Sequence, residues 1–262
     1  MKTLFQVIAL LLLAPLIATA QNPPKQGVII YDQVMKLREQ MAKESPVLAQ
    51  MMPEEMHIKM QVTFDGEKFT IASMNDAIMG MAQTIGTTVA KGMPTTATKD
   101  TTTAKLPKMD MDFPEERQMI NLKKGLLRTE TTLAGRDYYT ESTAKNKVLV
   151  RYYTGTKKIA GYTCNRAFVQ VDSTIYMVWY APAIPFGYNP IGLELTTLKG
   201  AVLGYQMEGS TCTAVSVKAA GFKPADVAPN AKARQVTQEQ MADLKADYME
   251  TLNKKMGGNP LK

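Results

Sequence analysis

Four methionines and the only histidine of the chain fall within ten residues, Met51-Met52-Pro53-Glu54-Glu55-Met56-His57-Ile58-Lys59-Met60. Thioethers are soft ligands that suit Cu(I), and an imidazole beside them adds a second copper-type donor. Methionine is also a flexible core filler and a common lining of adaptable apolar surfaces. Spacing weighs on the choice. Met56 to Phe64 alternates, so Met56, Ile58, Met60, Val62 and Phe64 share one face of a strand. His57, Lys59, Gln61 and Thr63 share the other. The apolar face reads as core, or as a surface turned to an apolar ligand. A copper site built from Met51, Met52, Met56, His57 and Met60 has to reach round the strand to collect His57.

Other chemistries find less. Any His-dependent triad must use His57, and no Gly-x-Ser-x-Gly nucleophile turn accompanies it. Zinc and iron sites need several His, Cys or carboxylate ligands at close spacing, and one His with two distant Cys does not supply them. Gly80, Gly86 and Gly92 lack the spacing and the Lys-Ser/Thr of a phosphate-binding loop. Glu54-Glu55 and Glu115-Glu116 each follow a proline and read as solvated entries to strands. No cofactor and no catalytic residue is expected.

These residues have to be carried by strands. Gly27 to Tyr31 reads as a first strand, and Asp32 to Met52 as a helix with Asp32 as its N-cap. Met56 to Phe64 and Lys68 to Ser73 form a hairpin across Asp65-Gly66. Further strands are read at Arg117 to Leu122, Leu126 to Leu133, Arg136 to Glu141, Val148 to Thr154, Gly161 to Val171, Thr174 to Tyr180, Gly200 to Met207 and Thr211 to Ala219. A C-terminal helix runs from about Gln238 to Met256, opened by a Thr237–Gln240 capping box. The fold class is α+β and β-rich: one large, curved, mainly antiparallel sheet, like a half-barrel, with a helix near each end of the chain. Cys164 and Cys212 can form a structural disulfide in an oxidising compartment, or remain two separate buried thiols.

Lys2, the apolar run Leu4 to Ile17 and Ala18-Thr19-Ala20 have the form of a signal peptide cleaved between Ala20 and Gln21. The expected layout is a signal peptide over 1–20 and one domain over 21–262, with a mobile Thr-rich loop at about 75–113. No later segment is apolar enough to cross a membrane as a helix, so no membrane span is expected after the signal is removed. The location implied is periplasm, cell envelope or the exterior. Net charge is +7. Lys and Arg are scattered among acids rather than gathered with aromatics, which argues against a nucleic-acid partner.

Lys157-Lys158-Ile159-Ala160-Gly161-Tyr162-Thr163-Cys164, then Trp179-Tyr180-Ala181-Pro182-Ala183-Ile184-Pro185, is the most distinctive stretch. With Ile29-Ile30-Tyr31, Tyr188 and Pro190, it resembles the GLPGLI family of exported Bacteroidota proteins. The chain departs at the family's namesake hexapeptide, offering Thr197-Leu198-Lys199-Gly200-Ala201-Val202. Asp100-Thr101-Thr102 resembles the short O-glycosylation signal of such exported proteins, with Thr101 as acceptor. The resemblance implies an exported β-rich protein of uncharacterised activity, and the curved sheet is similar to that of periplasmic lipoprotein carriers. The function expected is therefore a non-catalytic binding or carrier protein for an apolar small molecule, a lipid or an envelope protein. Envelope copper binding and an unrecognised hydrolase are the alternatives.

Overall fold

The alternating runs become strands in the computed structural model, which describes residues 24–44, 49, 53–73, 115–143, 148–219 and 223–255. The signal segment with Ala20 and Gln21, Met51, Met52, Thr101 and the Thr-rich loop at 75–113 lie outside the described residues.

Twelve strands form one sheet. In chain order they are β1 (Gln26–Met35), β2 (Met56–Asp65), β3 (Lys68–Ser73), β4 (Glu115–Asn121), β5 (Leu126–Leu133), β6 (Arg136–Thr143), β7 (Val148–Ile159), β8 (Tyr162–Val171), β9 (Thr174–Ala181), β10 (Ala201–Met207), β11 (Ser210–Lys218) and β12 (Arg234–Gln235). Their order across the sheet is β12-β6-β5-β4-β3-β2-β1-β11-β10-β9-β8-β7, and every pairing is antiparallel except the short β12–β6 contact. Helix α1 (Leu37–Glu44) follows β1, and α2 (Gln238–Lys255) lies against β5 and β6. The β-rich, mostly antiparallel sheet with a C-terminal helix is thus as the sequence pattern requires.

The sheet is open but strongly curled. Strand β7 ends the strand order and β6 lies one place from its other end, beside β12, yet only residues 144–147 separate Thr143 from Val148. Five peptide steps reach at most about 17 Å. The C-terminal end of β6 therefore lies within about 17 Å of the N-terminal end of β7, although, among the described residues, the two strands do not pair.

The first helix starts later than its sequence suggests. Asp32 is not an N-cap; it sits in β1, opposite Lys59 on β2 and Thr213 on β11. Strand β1 is hydrogen-bonded on both sides through to Met35, and two ladders outweigh a local capping preference.

One face of the sheet, called inner below, carries Ile29, Tyr31, Val62, Phe64, Phe69 and Ile120, all 0–1% exposed. The segment between β9 and β10 folds onto it, burying Ile184, Tyr188, Leu193, Leu195 and Leu198. Tyr188 stacks on Phe64 with ring centroids 4.4 Å apart and meets Phe69 edge-on at 5.6 Å. Its hydroxyl donates to the Gly66 carbonyl at 2.5 Å. Asn189, fully buried, is satisfied: it donates to the Gly187 carbonyl and accepts from the Ile191 and Gly192 N–H groups. The segment is thus built into the core.

Gly200 sets how closely this segment returns to the sheet. Its φ is +151°, and a Cβ there would stand 2.4 Å from the Ala181 carbonyl oxygen and 2.9 Å from the Pro182 nitrogen. Neither backbone atom can swing aside. Gly200→Ala should cost about 2 kcal/mol from overpacking and backbone strain, read as a lower denaturant midpoint with an unchanged slope.

Helix α2 begins as its sequence requires. The Thr237 N–H donates to Gln240 Oε1 at 3.0 Å, and the Gln240 N–H donates to Thr237 Oγ1 at 3.1 Å. Met241 and Leu252 are its buried stripe residues, and Lys245 pairs with Glu116.

Candidate functional site

Of the methionine and histidine cluster, the described members Met56, His57 and Met60 do not come together. Met56 and Met60 share the β2 face with Val62 and Phe64, while His57 lies on the opposite face, where Nδ1 is 3.4 Å from both Asp32 carboxylate oxygens. Alternation along a strand cannot bring Met56, His57 and Met60 to one point. A copper site that draws on Met56, His57 and Met60 together is therefore not formed. Among the described residues, no group of three or more His, Cys, Asp and Glu side chains could hold a metal. A His57-centred hydrolase gains nothing from an exposed imidazole whose neighbour is Asp32 on the adjacent strand.

The strand face read as ligand-binding is covered at its Val62–Phe64 end. Met56, Ile58 and Met60 are part-exposed, but Val62 and Phe64 are completely buried, and Tyr188 occupies the space above Phe64.

Cys164 on β8 and Cys212 on β11 are free, buried thiols. Burial pushes their pKa values up, to about 11 for Cys164 and about 12 for Cys212. Both therefore stay protonated and poorly nucleophilic at neutral pH.

The polar site lies elsewhere, on the other (outer) face, where β3, β4, β5 and β6 run side by side. The β4–β5 register sets Arg117 opposite Glu130, and alternation along β5 sets Arg128 on the same side as Glu130. Glu130 is only 8% exposed. Its Oε2 accepts from Arg117 at 2.6 Å, and its Oε1 accepts from Arg128 at 2.9 Å and from the Asn230 N–H at 2.8 Å. The Arg128 guanidinium lies 3.5 Å over the Tyr139 ring. Asp137 accepts from Thr132 Oγ1 at 2.7 Å and from Asn230 Nδ2 at 2.8 Å.

These side chains hold down a strap of chain that begins with the 3-10 turn Pro224–Val227 and runs to Asn230. Thr70 Oγ1 and Arg117 donate to the Asp226 carbonyl, Arg117 also to the Ala228 carbonyl, and Arg128 to the Asn230 carbonyl. Val227, on the strap itself, is buried. Beside it opens a cavity of about 340 Å³ with Ala72, Ser73, Glu115, Arg117, Glu130, Thr132, Asp137 and Asn230 in its walls. That volume falls in the range of ligand pockets, about 300–1,000 Å³. Hydroxyl, carboxylate and guanidinium groups side by side can exchange hydrogen bonds with a ligand rich in hydroxyl and amide groups.

Glu130 is ionised at this site. Burial alone would raise its pKa, but hydrogen bonds from Arg117, the Asn230 N–H and Arg128, together with the Arg117 charge, outweigh burial and hold it below the ordinary value. A carboxyl more acidic folded than unfolded contributes its full stability above the ordinary carboxylate range. That contribution drains away as pH falls through the folded value. Thermal melts taken from neutral pH down to about pH 3 should show a steeper acid-side loss of midpoint for the native chain than for Glu130→Gln.

Sequence reasoning passed over Arg117, Arg128, Glu130, Asp137 and Asn230. A signal for Arg117 and Glu130 was present. The β4–β5 hairpin, once Asn121 is paired with Leu126, puts Arg117 against Glu130. Asn230 carries no such signal, since it reaches Glu130 across a hundred residues of chain.

A family model described as "N-glycanase peptide, N-terminal domain" matches residues 72–245. The fold is similar to that of PNGF-II in two crystal forms. One, in space group C2, gives a TM-score of 0.53 at 17% identity over 84% of this chain and 32% of that one. The other, in space group P21, gives 0.50 at 18% identity over 84% and 33%. The chain therefore spans about a third of the length of the PNGF-II chains it resembles. No curated relative matches it. The family match overturns the resemblance to GLPGLI proteins. With it goes the expectation of a carrier for apolar cargo or an envelope protein.

Proposed function

The chain belongs to the N-glycanase N-terminal domain family, and from that premise we propose that it takes part in removing N-linked glycans by holding the N-glycosylated polypeptide. The observation that carries this reading is the outer-face cavity. Every residue in its walls, from Ala72 to Asn230, lies inside the matched segment. Its walls carry acid, hydroxyl and guanidinium groups, suited to sugar hydroxyls and acetamido groups. The ion cluster beneath it keeps the cavity wall rigid, so little ordering entropy is lost when a ligand binds. The apolar run and Ala18-Thr19-Ala20 at the N-terminus support export, which would bring the chain to secreted glycoproteins.

The test is calorimetric titration with an N-glycopeptide and with the same peptide lacking its glycan. Binding should require the glycan. Ala72→Trp, at a part-exposed wall position opposite Arg117 on the outer face, should abolish that binding while leaving the fold in place. Equal affinity for both peptides, or an unchanged affinity in Ala72→Trp, would remove the cavity from the account.

A further inference from the structure

A second surface lies at the far end of the strand order and owes nothing to the cavity. Strand β7 is an edge: β8 pairs with one side of it, and no described strand pairs with the other. Edge strands in soluble proteins are usually blunted by bulges, glycine, proline or lysine, because their free N–H and C=O groups invite another strand. The C-terminal half of β7 is blunted in this way. A register shift falls between Tyr153 and Thr156, Gly155 has φ +116°, and Lys157 and Lys158 follow.

The N-terminal half, Val148 to Tyr153, has none of these devices except the single charge of Arg151. It is regular, and it presents large side chains on both faces: Leu149 is 48% exposed, Tyr152 50% and Tyr153 45%. Tyrosine and arginine are the residue types enriched at the centres of protein interfaces. Neighbouring rings already stiffen this edge, with Tyr152 edge-on to Tyr180 and Tyr153 edge-on to Phe168.

Charge selects the occupant. From Val148 to Ala181, spanning β7, β8 and β9, the bases are Arg151, Lys157, Lys158 and Arg166, and the one acid is Asp172. This cationic excess repels a second copy of the same surface and attracts an anionic partner. A lipid surface or an anionic glycan would satisfy the charge alone. Only an extended polypeptide also satisfies the open backbone groups of the strand.

We infer that Val148–Tyr153 is a docking edge for an extended acidic polypeptide segment, which adds to the sheet as a strand beyond β7. The main-chain ladder gives the affinity, Arg151 selects acidic side chains within a field to which Lys157, Lys158 and Arg166 add, and Leu149, Tyr152 and Tyr153 cover the added strand from both sides.

The experiment uses the full chain and two fluorescent probes, a short peptide of alternating glutamate and valine and its counterpart with lysine for glutamate. Fluorescence polarisation should detect the glutamate probe alone, with affinity falling as salt rises. Arg151→Glu, at an exposed position, should weaken it at least tenfold, about 1.4 kcal/mol. Hydrogen exchange should slow in Val148–Tyr153 when that probe binds. Equal binding of both probes, protection that misses these residues, or an unchanged affinity in Arg151→Glu would overturn the assignment. So would a chain already dimerised through β7, with those amides protected before any probe is added.

Discussion

Tyr188→Ala should lower the unfolding free energy by about 4 kcal/mol, within the range for truncating a large buried aromatic. Tyr188 is fully buried, and its ring meets Phe64, Phe69 and Phe186. The loop that carries it is stitched to β10 by the Val202 N–H, which donates to the Tyr188 carbonyl at 2.8 Å. Truncation therefore leaves a cavity where the loop, the β2–β3 hairpin and β10 converge. Tyr188→Phe is the control. It keeps the ring and removes only the bond to the Gly66 carbonyl, at a cost of about 1 kcal/mol. Urea unfolding of the two variants separates packing from hydrogen bonding. Losses of similar size would mean that the hydroxyl, and not the ring, fastens the loop.

Glu130→Gln should cost about 3 kcal/mol, because removing one member of a buried ion cluster leaves its partners uncompensated. Gln has nearly the same shape, so the loss reports charge. The Arg117 side chain is 31% exposed and that of Arg128 15%, so neither guanidinium regains full hydration. Their remaining bonds to the Asp226, Ala228 and Asn230 carbonyls limit the damage. The strap should loosen first, with faster amide exchange at 226–230 well before global unfolding. Removing Arg117 as well should cost less than the sum of the single losses, because the two share one cluster. A purely additive pair would contradict the shared-cluster picture.

What the sequence disclosed and what it withheld differ by range. Hairpins are local, and their signals are strong: Asp65-Gly66, Gly125, Ala134-Gly135 and Asp172-Ser173 each mark a turn, and Gly66, Gly125, Ala134, Gly135 and Asp172 have positive φ. Alternation then placed Val62 and Phe64 on one face correctly. It could not say what covers that face, because the cover comes from residues 182–200, more than a hundred positions away. Strand β1 was read too short for a related reason. Its last residues, Asp32 to Met35, are held by β2 on one side and β11 on the other, and neither partner is visible from local propensity. Strand β12, only two residues long and parallel to β6, has no pattern to read.

The candidate site was missed because polar residues on a strand face resemble a solvated surface. Arg117, Arg128 and Glu130 acquire a role only when the 224–230 strap crosses them and removes their water. The Met-rich strand drew notice by composition, but its thioethers extend a packed face. The segment from Lys157 to Cys164 is the end of β7, the Ala160-Gly161 turn and the start of β8, a structural hairpin in which Ile159 and Cys164 are buried.

The central claim is that the outer-face cavity receives the glycosylated polypeptide. Hydrogen–deuterium exchange with an N-glycopeptide, and separately with its deglycosylated counterpart, tests it most directly. The account predicts that the glycopeptide alone slows exchange around Glu115–Arg117, Glu130–Asp137 and Asn230. Equal effects from both peptides, or protection confined to residues away from this cavity, would contradict it.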